Sequence, residues 1–383
     1  MITKLIGIGA AGNKAAINAV ENNIIDIDNV MLINSTLKDI PKDYKGLTIE
    51  YDGSYSGCGK ERKLAYKLAK ANLMGGKLHL NEFLCLEDPE NKAELVVIVT
   101  STEGGTGSGS SILIGDFIQR VLGIQVHMVG FIGFRTEPRG LKNTVEWFKE
   151  LKDDFTVECI ENSKFLEECR NNKFKAEIAA NNEFGKKLAI LMGNPIRDSY
   201  HNIDKTDLFK ASTEKGFMII ESTNFEKIKN REQFEAAIIN MIDNTKSLDI
   251  TEITCRKTAV IININSACTD YISYEDIIFE RYGKGYENFL HLQHEPDMPE
   301  FFAVIVSGVK MPIEEVQKIY NDYKSANDKV DRTIDAFFAS ASSLELEDDS
   351  ALSLSKKTTV DAADFFGEME DEEVTTKNKF ANY

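Results

Sequence analysis

The stretch Ser101-Thr102-Glu103-Gly104-Gly105-Thr106-Gly107-Ser108-Gly109-Ser110-Ser111 constrains the chain most. Before it runs Leu95-Val96-Val97-Ile98-Val99, continuously apolar and largely β-branched. Such a run reads as a strand buried on both faces. After it, Ile112, Leu113, Phe117 and Val121 recur at helical spacing. The glycines therefore sit between a buried strand and a helix N-terminus. The first amides of a helix lack intrahelical partners, and its dipole is positive there. Glycine lets backbone approach an anion closely, and Thr106, Ser108 and Ser110 add hydroxyl donors. The expectation is a phosphate site. The spacing is not that of a Walker A loop, since no Gly-Lys-Ser/Thr follows.

A similar unit opens the chain. Leu5-Ile6-Gly7-Ile8 reads as a strand, and a helix carrying Ala15, Ala16, Ile17, Ala19 and Val20 follows Gly9-Ala10-Ala11-Gly12-Asn13. Gly7-x-Gly9-x-x-Gly12 fits a dinucleotide fingerprint, which would make the chain an NAD-dependent oxidoreductase. That fingerprint expects an acid at the end of the second strand, to hold a ribose. Here the second strand, Asn29 to Ile33, ends in Asn34-Ser35-Thr36. A non-enzymatic filament or scaffold protein is the remaining class. Strands alternating with helices predict an α/β fold built on a parallel sheet.

A net charge of −17 argues against direct binding to nucleic acid, whose phosphates would be repelled. The six cysteines (Cys58, Cys85, Cys159, Cys169, Cys255, Cys268) include no CxxC pair and suit free thiols in a reducing cytosol. The five histidines form no zinc-binding pattern. No apolar run approaches the roughly 20 residues that span a bilayer, and Met1 to Val20 is too polar in its second half for a signal peptide. The expectation is a cytoplasmic protein that contacts no membrane.

Gly104-Gly105-Thr106-Gly107-Ser108-Gly109 resembles the signature loop of the tubulin/FtsZ GTPases, with Glu103 in place of a leading glycine. The resemblance covers roughly residues 1–310 and assigns roles in order. Gly9, Ala10, Ala11, Gly12 and Asn13 look like the first nucleotide loop, with alanines where FtsZ proteins usually carry glycines. Asn34 and Ser35 look like the second, touching metal or phosphate. Gly57, Cys58, Gly59 and Lys60 resemble the loop that senses the γ-phosphate, Lys60 and Arg62 supplying positive charge. Glu137 resembles the acidic ribose contact; Arg139 lies near it, at a spacing the family does not keep. Asn162, in Asn162-Ser163-Lys164-Phe165-Leu166, would read the guanine edge. Asn181 would also face the base, while Glu177 stands where the family has a stacking aromatic. Asn202-x-Asp204-x-x-Asp207 matches the acidic loop that completes the site of the next subunit. A carboxylate pair there can polarise a water for attack on a phosphate; helix capping would explain one of the acids.

What the resemblance implies is a GTPase binding GTP or GDP, with Mg held through the nucleotide phosphates rather than by a dedicated ligand set. It implies a head-to-tail homopolymer whose assembly activates hydrolysis. The loop, long C-terminal helix and acidic tail look most like the TubZ branch, whose members segregate plasmid or phage DNA through a DNA-binding adaptor. The alternatives within the family are an FtsZ-like division protein and a phage tubulin that positions DNA.

The expected fold is a Rossmann-like GTPase domain (1–174), a central helix (175–195), the acidic loop with its following helix (196–214), a second α+β domain (215–310), a C-terminal helix (311–340) and an acidic disordered tail (341–383). Within these, Ile178, Phe184, Leu188 and Leu191 are expected to form the apolar side of the central helix. Tyr274 to Phe289 reads as helical, with a Gly283-Lys284-Gly285 interruption. From Leu344 onward eleven acids stand against four lysines, a composition that favours disorder. Its apolar island, Phe365-Phe366-Gly367-Glu368-Met369, is a candidate peptide for docking the adaptor.

Overall fold

β-branched strands that alternate with amphipathic helices can bury both strand faces only if helices cover the sheet on each side. The computed structural model, which describes residues 1–53, 57–151, 154–197, 199, 202–250 and 254–326, is built this way. The first half runs β1 (Thr3–Ile8), α1 (Gly9–Glu21), β2 (Val30–Asn34), β3 (Leu47–Glu50), α2 (Arg62–Met74), α3 (Leu80–Phe83), β4 (Leu95–Ser101), α4 (Thr106–Asp116), β5 (Gln125–Ile132), α5 (Pro138–Glu150), β6 (Thr156–Glu161) and α6 (Lys173–Leu191). The second runs α7 (Lys205–Ser212), β7 (Gly216–Asn224), α8 (Arg231–Asp243), β8 (Lys257–Asn263), α9 (Glu275–Tyr282), β9 (Glu287–Gln293), β10 (Phe301–Val309) and α10 (Ile313–Ala326).

All ten strands join one sheet, in the order β3-β2-β1-β4-β5-β6-β7-β10-β8-β9. It is parallel from β3 to β7, antiparallel about β10, and parallel again between β8 and β9. Strand alternation divides the apolar residues between two cores. Ile6, Ile8, Val96 and Ile98 face a layer that includes α2, α4, α5, α8 and α10. Leu5, Val97 and Val99 face α1, α6 and α7. Each such Leu, Ile or Val contributes about 1.5–3 kcal/mol by leaving water.

The two halves of the sheet meet along β6 and β7 at just two residue pairs, Thr156–Gly216 and Val157–Phe217. Beyond them the strands diverge, and the segment after α8 fills the fork: Leu248 N donates to the Cys159 carbonyl at 3.1 Å. α6 and α7 carry the chain from one half to the other.

Several expectations change here. The stretch from Tyr274 is not one interrupted helix. Gly283 ends α9 at φ +83, and Glu287–Gln293 becomes the edge strand β9, paired in register with β8. Helix α5 starts at Pro138, with proline in the first turn where its missing amide costs nothing. Ile178 does not belong to the buried side of α6: it is 43 % exposed, while Phe184, Leu188 and Leu191 are buried. The C-terminal helix packs on α5 through Val316, Ile319, Tyr320 and Tyr323. Its expected continuation past Ala326, and the tail with Phe365 and Phe366, lie outside the described residues.

Candidate functional site

In a parallel sheet the loops leaving the C-terminal strand ends gather along one edge, the usual place for a ligand. β1, β2, β4, β5 and β6 deliver Gly9–Asn13, Asn34–Ser35, Gly104–Gly109, Glu137 and Asn162 to that edge. Gly57–Lys60 joins them from the loop before α2. A Cβ placed on Gly57 would lie 3.7–3.8 Å from Thr36 and Ser35.

Packing between loops explains most of the glycines. Gly9 takes φ +77, and a Cβ there would stand 2.9 Å from the Gly107 amide. A Cβ on Gly12 would fall 2.2 Å from the Val99 carbonyl, one on Gly105 2.7 Å from Lys60 Cα, and one on Gly109 2.5 Å from the Arg62 carbonyl. Of the four glycines in the run, only Gly104 faces open space. The run is also less of a loop than its composition suggests. Thr106 onward is already helix, and Thr106 to Ser111 are buried.

Among the described residues no side chain caps α1 or α4, so their first-turn amides lack side-chain acceptors. These helices leave the adjacent paired strands β1 and β4. Two positive helix ends thus lie side by side. The expected hydroxyl donors behave differently. Ser108 and Ser110 donate back to the Gly104 and Thr106 carbonyls of their own segment, the usual local bond of serine inside a helix. Thr106 Oγ1 instead meets Ser35 Oγ at 2.7 Å. The Asn34 side-chain oxygen accepts from the Ser35 amide at 2.9 Å. Asn13 donates to the Ile33 carbonyl at 3.4 Å, and its buried Oδ1 has no partner.

The charged residues form two groups. Lys60, held at φ +63, pairs with Glu137 across the mouth of the site, half-exposed. The expected phosphate sensor and the expected ribose acid thus hold each other. Arg139 turns outward to Glu61 at 2.7 Å. Arg62 is not a free cation: it is buried beneath α5, where it donates to the Asn143 carbonyl at 3.1 Å and pairs with Glu150 and Glu146. Cys58 is a buried small residue in the same turn.

Asn143 is a site residue that sequence reading misses. From α5 its Nδ2 reaches the carbonyls of Lys60 (3.2 Å), Glu103 (3.0 Å) and Gly104 (3.3 Å), locking two loops together. The one available signal is a polar residue between Leu141 and Val145, on the buried side of a helix.

Glu103 turns away from Gly104's open side. A Cβ on Gly133 would lie 2.1 Å from its Oε2, and one on Gly140 3.1 Å, so both glycines make a recess for this carboxylate. Burial pushes the Glu103 carboxyl up, offset in part by the Arg135 amide and by Lys60. A raised carboxyl favours the protonated folded form, so the wild type loses stability as pH rises through and above the ordinary carboxylate range. Glu103→Gln removes that loss. Urea midpoints of the two proteins should diverge between pH 4 and pH 8, the variant gaining; a constant difference would refute this.

Asn162 opens the turn after β6, and its buried Oδ1 has no partner. Asn181 sits on α6 roughly 12 Å below the helix start, eight residues at 1.5 Å each. The adjacent Asn182 accepts from Asn18 of α1 at 3.1 Å.

Asn202, Asp204 and Asp207 are not brought to this edge. α6 starts beside it, where Lys173 donates to Thr136 and lies over the Phe134 ring. Its 19 residues then run about 28 Å away. At the far end Asn194 bonds the Ile24 carbonyl beyond α1, and a Cβ on Gly193 would touch Leu208 of α7. There Asp204 caps α7, accepting from the Asp207 amide at 2.7 Å. Asp207 lies 3.9 Å from Lys210, and Asn202 Oδ1 accepts from the Ser199 amide at 2.9 Å.

Among the described residues no group of three or more His, Cys, Asp or Glu side chains could hold a metal ion, and no helix is long and apolar enough to cross a membrane.

No protein-family model matches the sequence, and the search of curated proteins finds no relative. Solved structures match closely in shape. TubZ of Clostridium botulinum phage c-st is 18 % identical with a TM-score of 0.64, covering 84 % of this chain and 96 % of its own. A GTPγS-form protofilament of TubZ from Bacillus thuringiensis serovar israelensis is 16 % identical, with a TM-score of 0.69 over 85 % of this chain and 92 % of that one. An FtsZ dimer from M. jannaschii is 18 % identical, with a TM-score of 0.63 over 80 % and 88 %. The likeness to TubZ and FtsZ runs along most of each chain and takes in the ten-stranded sheet with its helices: this chain has the tubulin/FtsZ fold.

Proposed function

We propose that this chain binds GTP at the loop edge of the sheet and hydrolyses it once subunits stack head to tail. The observation that carries the reading is the position of Asn202, Asp204 and Asp207, the length of α6 away from the uncapped amides of α1 and α4. No folded monomer can bring these acids to a nucleotide in its own loops. A neighbour stacked along α6 can. The contact is heterologous and does not close, so it propagates as a filament. That TubZ of B. thuringiensis forms a GTPγS-form protofilament supports the same arrangement here.

In this reading the amides of α1 and α4 bind the phosphate chain, and the Gly104 side stays open to it. Lys60 leaves Glu137 for the γ-phosphate, which frees Glu137 for a ribose hydroxyl. Asn162 and Asn181 read the base edge, each with a donor and an acceptor. Magnesium, arriving with the nucleotide, would neutralise phosphate charge. The hydroxyls of Ser35 and Thr106, hard oxygen donors in a buried pair, are the residues fitted to complete its shell. Acids from the next subunit then orient the attacking water.

We further infer that a filament of this chain moves plasmid or phage DNA through a basic adaptor, because a chain of charge −17 needs such an intermediary to reach DNA.

Sedimentation and phosphate release, measured with GTP across protein concentrations, test the core of the proposal. Pelleting should require GTP, and activity per molecule should rise above a threshold concentration. Constant activity per molecule at every concentration would overturn it.

A further inference from the structure

The outer strand β9 buries polar residues where a strand ordinarily buries apolar ones. Leu290 and Leu292 pack into one core, and Phe289 packs into the other. His291 and Gln293, which share the face of Phe289, are 0 % and 1 % exposed. Burying polar side chains costs free energy unless they are hydrogen-bonded, and both of these are. His291 Nδ1 accepts from the Ile203 amide at 3.4 Å, and its Nε2 lies 2.9 Å from Gln293 Oε1. Gln293 Oε1 also accepts from the Arg197 amide at 2.8 Å, and Gln293 Nε2 donates to the Pro195 carbonyl at 3.0 Å. A backbone amide can only donate, so Nδ1 carries no proton. The hydrogen of the neutral ring is therefore on Nε2, and Gln293 Oε1 accepts it.

The four bonds have one target. Pro195 and Arg197 lie just past the end of α6, and Ile203 stands between Asn202 and Asp204. Two side chains of β9 thus grip both ends of the segment that joins α6 to the acids. Ile203 is buried, whereas Asn202 and Asp204 on either side of it are exposed, and Asp204 goes on to cap α7. Whatever holds the Ile203 backbone therefore sets where its two neighbours point.

We propose that His291 is a positioning residue for hydrolysis. It touches neither nucleotide nor water. It fixes the backbone between Asn202 and Asp204, so that the acids of this loop meet the phosphates held by the next subunit at reacting distance. This rests on the head-to-tail reading above.

Two amide variants separate the two bonds of the ring. His291→Asn offers an acceptor near the Nδ1 position and keeps the Ile203 bond; His291→Gln reaches the Nε2 position and keeps the Gln293 bond. Phosphate release per pelleted subunit should stay near wild type in His291→Asn. In His291→Gln it should fall about 10–100-fold, the scale for displacing a positioned group by about an ångström. GTP affinity of dilute subunits, read by calorimetry, and pelleting should be unchanged in both. Urea midpoints should drop alike, since each variant loses one buried bond. Turnover that followed stability rather than the retained bond would reduce His291 to a structural role and overturn the proposal. So would wild-type turnover in both variants while Asp207→Asn remains slow. Lost pelleting with GTP binding intact would place His291 in the subunit contact alone and overturn it too. Hydrogen exchange of the full wild-type chain needs no variant: the Ile203 amide should be protected, and free exchange there overturns the proposal. Full turnover by Asp207→Asn filaments would instead overturn the reading of the acids, and this proposal with it.

Discussion

Lys187→Met is expected to lower the free energy of unfolding by about 3–5 kcal/mol, the cost of leaving a buried charge unpaired. Lys187 projects from α6 into the seam between the halves of the sheet, 2 % exposed. Its ammonium lies 2.9 Å from Glu158 of β6, 3.5 Å from Glu221 of β7 and 2.9 Å from Ser247 Oγ, and also donates to the Ile220 carbonyl. Because β6 and β7 share only two residue pairs, this cluster holds together what the ladder does not. Glu221 also accepts from Ser247 and Thr245, and His127 stands 3.7 Å from Glu158. Although burial opposes its ionisation, Lys187 and His127 hold the Glu158 carboxyl below its ordinary value. A lowered carboxyl stabilises the fold above the ordinary carboxylate range and ceases to do so as pH falls through it. Between pH 5 and pH 8 this contribution in the wild type is constant. In Lys187→Met the sign inverts: Glu158, fully buried and stripped of its lysine, resists ionisation, and the penalty grows with pH. Urea denaturation at both pH values checks this. Adding Glu158→Gln and Glu221→Gln to the variant should recover much of the loss, because neutral amides need no counter-charge. Equal stability of wild type and single variant at pH 8 would refute the role.

Local patterns revealed the strand–glycine–helix units because β-branched runs and helical periodicity are properties of neighbouring residues. The same locality limited the rest. Arg62 reads as a free cation beside a glycine turn, yet its partners Glu146 and Glu150 lie on α5, more than 80 residues on. Gly12, Gly105, Gly107 and Gly109 were legible as a place for an anion, whereas what requires glycine at each is another piece of backbone or, at Gly107, the Thr100 hydroxyl as well. β9 was missed because the periodicity of Ile277 and Ile278 carries past Gly283, and its pairing partner β8 is more than 20 residues upstream. Lys187 could have been found. It lies three residues past Phe184 and one before Leu188, on the buried side of α6, and a lysine there must meet an acid. Nothing in the spacing identifies which one.

Asp207→Asn is expected to slow GTP hydrolysis in the polymer by about 10²–10⁴-fold, the range for losing a positioned acid–base group, while GTP binding and sedimentation persist. Asp207 is the cleaner of the two acids to remove. Asp204 accepts the Asp207 amide as the cap of α7, so Asp204→Ala also removes about 1 kcal/mol of helix stability and blurs the result. Asp204→Ser keeps an oxygen for the cap and discards the charge. If both acids orient water, both variants lose turnover and neither loses pelleting. If Asp204 serves the cap alone, Asp204→Ser retains full activity and Asp207 carries the chemistry by itself. In the proposed mechanism the effect depends on assembly. α6, packed on α1 and pinned at its far end by Asn194, keeps these acids about 28 Å from their own loops, far beyond the 2.6–3.2 Å over which a carboxylate can take a proton. A subunit kept monomeric by dilution should therefore hydrolyse GTP no faster than Asp207→Asn does in the polymer. Hydrolysis at the polymer's rate by such a monomer, or full turnover by Asp207→Asn filaments, would remove Asp207 from the reaction.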